Sequence, residues 1–388
     1  MAFSQFKHVK ITGISTVVPE DKINIYDEVQ YYDNSVKKVD RMRKMVGFYE
    51  RHVADKTTTS SDLAYDAALK LFEDLKIDKN SIDALIFVVQ QPDVMNPATA
   101  YFLHQKLGLS DDCIATDINQ GCVGWVYGLY MASNLIESGI HKRVLLLNGD
   151  TPSVGINPAD RNSAPIFGDG GVATLLEYSK EETVSSYQID TKSYGFEAII
   201  SPFSGTRARF ALNIVSDDNF ELVSKLRQER ITLPTGNQQN LLNGYMDGIA
   251  VFDFTIKIVP ETIKNLLEKT NLMPQTVPML CLHQANKQIV QAVGMGAGFD
   301  LEKVPYKAFE NYGNNTMCSV PTTLALLDKD VDKKNICCCA FGNGLVSIAS
   351  ILDLSKTYIS EVRFFNKPDY ILSRDEYIDY WRNKIAGK

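Results

Sequence analysis

The sequence predicts an α/β protein whose sheets and helices stack in layers, and three observations carry the expectation. Short continuous apolar runs such as Ala84 to Val89 and Val277 to Leu282 alternate with longer segments of helical period, the pattern of strands buried between helices. The theme occurs twice, before and after a polar, glycine-containing stretch at about 201–248, although no letter-by-letter repeat is visible. Glycines at 168, 170 and 171, and again at 342 and 344, break the chain just before further apolar runs.

In the first half, residues 1–180, the apolar run Val9 to Val18 is a strand ended by Pro19. Ser60 or Ser61 then caps a helix with Ala64, Ala68, Leu71, Phe72 and Leu75 on one face. The strand Ala84 to Val89 follows, then a helix from about Ala98 to Leu107, a strand Cys113 to Ile118, a helix Val123 to Ile136 and a strand Arg143 to Leu147. The second half, 181–388, carries a helix at about Thr262 to Leu267, the strand Val277 to Leu282, a helix Asn286 to Val293, and strands Asn335 to Ala340 and Leu345 to Leu354. It also holds the insertion at about 201–248 and a C-terminal extension from about residue 358. Ser373-Arg374-Asp375-Glu376 fits a capping box, and Tyr377, Ile378, Trp381 and Ile385 form a stripe behind it.

A chain of 388 residues, 45% apolar, can bury a large core, and its net charge of −7 leaves no basic field for a nucleic-acid backbone. The first 13 residues mix Lys7, His8 and Lys10 among single apolar residues, unlike a signal or transit peptide, and no apolar run approaches the ~18 residues of a membrane span. A cytoplasmic protein is the expectation. Seven cysteines without CxxC or Cys/His spacing argue for a reducing compartment and no metal. Cys337, Cys338 and Cys339 are adjacent on a strand, so they point to alternate faces and read as core.

Three places are able to carry chemistry. Cys122, in Gly121-Cys122-Val123-Gly124, lies between a strand and a long helix, where a helix N-terminus favours thiolate and small neighbours leave room for a substrate. A cysteine so placed is, on position alone, as readily an inert core residue. His283 ends a buried strand and opens His283-Gln284-Ala285-Asn286 at a strand-to-helix junction, where functional groups of α/β sheets gather. The loop Tyr312-Gly313-Asn314-Asn315-Thr316 leads into Ser319-Val320-Pro321, and taken alone it is an ordinary turn and helix start.

These strings, with Phe167-Gly168-Asp169-Gly170 and Phe341-Gly342-Asn343-Gly344, occur in the order found in β-ketoacyl-acyl-carrier-protein synthase III, which the chain resembles outside the insertion and the tail. The resemblance implies a thiolase fold, two related α/β halves stacked as five layers (αβαβα), normally a homodimer. It implies that Cys122 takes the acyl group and that His283 and Asn314 bind the carbonyl of the second thioester. The backbone amides of Cys122 and Asn343 form the oxyanion hole, Asn286 supports the His283 loop, and Asn96 and Phe341 line the acyl pocket. The substrates it implies are acyl and malonyl thioesters of acyl carrier protein or coenzyme A, with no permanently bound cofactor. The chemistry needs these residue types: a thiolate to attack a thioester, fixed donors for the oxyanion, and two neutral donors for the enolate left by decarboxylation.

The pattern also departs from the family. The adenine-stacking tryptophan is absent from the region before Gly47, where Lys37 to Lys44 stands with Lys38 and Arg41, while Arg161 is kept. Acyl carrier protein thus gains on coenzyme A as donor, against the plain reading of a solvated helix face. Asn96 stands where relatives carry an aromatic gate reaching across the dimer, which points to a specialised pathway. An acyltransferase passing the group from Cys122 to an alcohol or amine stays open, as does a non-catalytic carrier-protein-binding scaffold. A degradative thiolase would need a second cysteine where Phe341 and Asn343 stand, and a hydroxymethylglutaryl synthase a glutamate where only Asp93 is found.

Overall fold

The computed structural model describes residues 2–387 apart from 157–159, 161–162, 206, 209–217, 233–237, 241 and 243. Two sheets form its frame. The seven-stranded sheet runs Tyr358–Ile359, Val9–Val18, Gly170–Tyr178, Arg143–Asp150, Ala84–Val89 and Ile114–Ile118, with Arg363–Phe364 also on Val9–Val18. The five-stranded sheet runs Ala2–Phe6, Ser185–Thr191, Val346–Leu352, Ile336–Gly342 and Leu280–Leu282. The chain ends cross between them: Ala2–Phe6 joins the sheet of the second half, and the strands after residue 357 join the sheet of the first.

Strand alternation sorts side chains into layers. Leu85, Phe87 and Val89 face the helices Ser60–Leu75 and Thr99–Leu107, whereas Ile86 and Val88 face the middle helix Gly124–Glu137. On the other sheet Cys338, Ala340 and Ile348 face the same middle layer, while Cys337, Cys339 and Phe341 face the helices Gly248–Lys269 and Lys287–Gly296. The result is the five-layer αβαβα stack, in which each large apolar side chain so buried stabilises by about 1.5–3 kcal/mol. The three adjacent cysteines are split between two core layers, and all seven cysteines are free thiols.

Three expectations about elements change. Thr59, not Ser60 or Ser61, caps the first long helix, because Asp62 at its third position closes a reciprocal box with Thr59. The helix expected at Thr262 to Leu267 runs over Gly248–Lys269, capped by Asp247, with Pro260 inside it packed where Gly296 leaves space. The strand expected from Val277 pairs only over Leu280–Leu282. In the insertion the described residues include the helix Asp218–Gln228 and the two-residue pairings of Ile199–Ile200 with Tyr245–Met246 and of Ile231–Thr232 with Gln238–Gln239. Among the described residues no helix is long and apolar enough to cross a membrane, and no group of three His, Cys, Asp or Glu side chains is placed to hold a metal ion.

Candidate active site

The strand Ile114–Ile118 delivers the chain to Gly121, whose carbonyl accepts the Gly124 N–H at 2.8 Å and starts the turn that leads into the middle helix. Cys122 sits on this turn. Gly342, the last residue of Ile336–Gly342, packs so closely that a Cβ there would lie 2.8 Å from Cys122 Cβ and 3.2 Å from Sγ. A Cβ at Gly121 would meet Gln90 Oε1 at 2.6 Å and the Asn343 side chain at 3.4 Å. Glycine at both positions keeps the half-buried sulfur reachable and brings the Asn343 loop against the Cys122 turn.

The thiol does not behave as its helix end alone predicts. Burial pushes it up to about 12, the Asp150 carboxylate adds to the rise, and its own backbone amide opposes both only in part. The resting group is therefore a thiol.

Asn314 is held by the loop that carries Phe167 and Gly168. Its N–H donates to the Ile166 carbonyl at 2.6 Å, and its carbonyl accepts the Gly168 N–H at 3.1 Å. Its side-chain Oδ1 accepts the Thr316 N–H at 3.0 Å, which orients the amide and leaves Nδ2 without a protein acceptor among the described residues. His283 follows Leu280–Leu282, with its N–H on the Cys339 carbonyl at 2.8 Å. Its ring packs edge-to-face on Phe341 at 5.4 Å, and Nδ1 lies 2.8 Å from Ser319 Oγ. Burial pulls its pKa down to about 4, against the Thr316 carbonyl, so the imidazole is neutral at neutral pH. A half-buried thiol, a neutral histidine and an uncommitted amide donor are thus joined through Gly342, Phe341 and Thr316.

Two residues in this cluster carry no signal of their own in the sequence. Asp150, at the end of Arg143–Asp150, is buried with neither carboxylate oxygen in a hydrogen bond of normal geometry. The Thr316 hydroxyl bears on it without completing such a bond. Burial pushes Asp150 up to about 7, opposed by Thr316 and reinforced by Asp169. An acid closing the fully apolar run Val144 to Leu147 is the one pattern that marks it. Ser319 is visible only as part of Ser319-Val320-Pro321, and its contact with His283 is a product of the fold.

Other expected site residues fall as follows. Asn286 caps Lys287–Gly296, accepting the Ile289 N–H at 2.8 Å, and so fixes the exit of the His283 loop. Asn96 is exposed in the loop before Thr99–Leu107. Asp93 is tied to Thr59 and Ser61. Arg161 lies outside the described residues. Lys38 and Arg41 are exposed on the helix Val36–Val46, with Lys38 paired to Asp33. Other residues of that helix, Asp40, Arg43 and Lys44, line a cleft of about 280 Å³ with Gly47, Phe48, Lys287, Tyr306 and Glu310. Lys287 stands over the Tyr306 ring at 4.7 Å, and the neighbouring Pro305 carbonyl accepts Gln284 Nε2 at 3.2 Å, so the cleft adjoins the His283 loop.

Comparison with known proteins bears on the family and the fold. The family models for 3-oxoacyl-[acyl-carrier-protein (ACP)] synthase III and for its C-terminal part match residues 116–195 and 267–354, spans that include Cys122, His283, Asn314 and Asn343. A Campylobacter jejuni protein provisionally named a 3-oxoacyl-[acyl-carrier-protein] synthase 3 is 36% identical over 94% of this chain and 99% of its own length. The β-ketoacyl-[acyl-carrier-protein] synthase III of Fusobacterium nucleatum is 30% identical over 89% of this chain and 98% of its own. The crystal structure of a 3-oxoacyl-(acyl-carrier protein) synthase from Burkholderia xenovorans superposes with a TM-score of 0.82 at 30% identity, covering 94% of this chain and 99% of that one. With the five-layer fold and the ordered motifs, these similarities establish that the chain belongs to the 3-oxoacyl-[acyl-carrier-protein] synthase III family of thiolase-fold condensing enzymes.

Proposed function

We propose that Cys122 accepts an acyl group from a thioester and that the acyl-enzyme condenses with a malonyl thioester in a specialised pathway. In the first step the Cys122 sulfur attacks the thioester carbonyl, the bond to the carrier sulfur breaks, and the thiol proton ends on the released carrier. Because the resting group is a thiol, its proton leaves as the attack proceeds. The amides of Cys122 and Asn343 hold the tetrahedral oxygen. In the second step carbon dioxide leaves the malonyl group, and the enolate oxygen rests between Asn314 Nδ2 and His283. The carbanion forms a bond to the acyl carbon and expels Cys122 as thiolate, which takes up one proton. Neutral donors suit this step, since an acidic group would protonate the carbanion.

The observation that carries the reading is the Asn314 amide, oriented by Thr316 with Nδ2 left over, tied through the same Thr316 to a neutral histidine whose ring packs on Phe341, the residue before the Gly342 that touches the thiol. The reading extends to acyl carrier protein as donor, approaching over the cleft of Arg43, Lys44 and Lys287, with Lys38 and Arg41 on the same helix as Arg43 and Lys44. It extends also to a cytoplasmic homodimer in which Asn96 serves the partner's acyl pocket. In support of the dimer, Ile114–Ile118 pairs on one side only among the described residues and leaves an open edge.

The test is release of labelled carbon dioxide from carboxyl-labelled malonyl thioester by the acylated protein. Asn314→Ala is expected to keep Cys122 acylation and to lose about 10²–10³-fold in condensation. An acyl group delivered to an alcohol or amine without carbon dioxide release would replace condensation with simple acyl transfer.

A further inference from the structure

His283 and its neighbours form a closed set of donors and acceptors that fixes where the imidazole proton sits. Nδ1 lies 2.8 Å from Ser319 Oγ and 3.2 Å from the Thr316 carbonyl oxygen. A carbonyl oxygen only accepts, so a bare Nδ1 beside it would set two lone pairs against each other. The Ser319 hydroxyl has one proton and donates it to the same Thr316 carbonyl at 2.7 Å. Ser319 Oγ in turn accepts the Gln284 backbone N–H at 3.3 Å. With Nδ1–H also donating to Oγ every group is satisfied, and Nε2 is left as a bare lone pair.

A ring in that state cannot donate to an enolate. The opposite tautomer needs a donor at Nδ1, and the Ser319 hydroxyl is the group in reach. Turning it from Thr316 to Nδ1 still leaves the Thr316 carbonyl with the Ser319 backbone N–H. Thr316 itself has φ +49°, a left-handed conformation that a β-branched residue rarely adopts, and this conformation holds its carbonyl against the ring. Burial keeps the ring neutral, so the choice is between two neutral tautomers.

We propose that Ser319 is a positioning residue whose hydroxyl rotation decides which His283 nitrogen carries the single ring proton: Nδ1 in the empty site, Nε2 when the second thioester's carbonyl is in place. The inference rests on the reading of His283 and Asn314 as the site for that carbonyl. In the change the ring loses a proton at Nδ1 and gains one at Nε2, both exchanged with water. No bond to carbon or sulfur is made or broken.

The test is a long-range proton–nitrogen correlation spectrum of protein labelled with ¹⁵N-histidine, with the His283 signals identified by their loss in His283→Gln. Free wild-type protein is expected to show protonated Nδ1 and bare Nε2. After acylation of Cys122 and addition of a malonyl thioester analogue that cannot lose carbon dioxide, the proton should appear on Nε2. Ser319→Ala should hold Nδ1–H in both states and lose about ten- to hundredfold in condensation kcat with little change in KM, because its Nε2–H form leaves a buried Nδ1 unpaired. Nε2–H in free wild-type protein, a result that does not depend on Ser319→Ala folding, overturns the proposal, and so does a Ser319→Ala spectrum that switches as wild type does. The free-protein spectrum needs no turnover, so a wild type that never releases carbon dioxide defeats the functional reading while the tautomer is still read directly.

Discussion

Asp150 is the residue at which burial and charge oppose each other most directly. It is buried with no completed hydrogen bond, and its charge and that of a Cys122 thiolate disfavour one another. The unfolded chain titrates this carboxyl near 3.9, whereas the folded protein holds its proton up to about 7. The folded state binds that proton more tightly. The associated stability is therefore complete below about pH 4 and is lost as pH rises through 7. Asp150→Asn should remove this part of the pH dependence, worth up to a few kcal/mol, in denaturant melts between pH 5 and 8. Asp169, pushed to about 6 by burial despite the N–H groups of Ala54 and Ser153, declines in the same direction and remains in the variant. The same substitution should speed alkylation of Cys122 by iodoacetamide at pH 8 about tenfold, if the charge costs the thiolate ~1.4 kcal/mol. An unchanged alkylation rate would remove Asp150 from the account of the nucleophile.

Among the elements, the C-terminal extension divides into a strap and a free helix. Tyr358 and Arg363 bond Asp74 at 2.9 and 2.6 Å, the Asn366 N–H bonds Asp66 at 2.9 Å, and Lys367 bonds Asp55 at 2.9 Å. The chain thus runs back along one stripe of Ser60–Leu75, and Tyr370 closes it between Tyr65 and Phe102, each with ring centroids 5.7 Å away. The helix Arg374–Ile385 begins with the capping box of Ser373 and Glu376 that the sequence predicts, yet it buries no residue. Deleting residues 372–388 should leave the melting temperature within about 2 °C, whereas deleting from 358 should lower it by more than about 5 °C, as loss of two strand pairings and the strap implies. Equal losses would mean that the helix supports the fold. The same contrast shows what was legible. The Ser373 box is local chemistry written in four residues. The length of Gly248–Lys269 was hidden because Pro260 reads as a break, and its tolerance depends on Gly296 from another helix.

At the scale of the whole molecule, the five-layer fold was legible, and so was the placing of Cys122, His283 and Asn314 on loops at or beside strand-to-helix junctions, because such junctions leave glycine-marked loops in fixed order. What was not legible arises between distant segments. The Lys37 to Lys44 run marks a basic helix, but only the fold shows that Arg43 and Lys44, not Lys38 and Arg41, share a cleft with Lys287. Acyl carrier protein thioesters should therefore outperform coenzyme A thioesters in kcat/KM, with a rate that falls as salt rises. The double reversal Lys44→Glu and Lys287→Glu should weaken the carrier-protein donor selectively, by about tenfold or more, and a salt-insensitive preference for coenzyme A would refute this route. The account as a whole stands on the identity of the acylated residue. The direct measurement is peptide mass mapping after brief incubation with acyl-carrier-protein and acyl-coenzyme A donors, on wild type and on Cys122→Ser. The expected result is one acyl group per chain, on Cys122, and none on the variant; an adduct on Cys318 or Cys337, or undiminished acylation of Cys122→Ser, would contradict it.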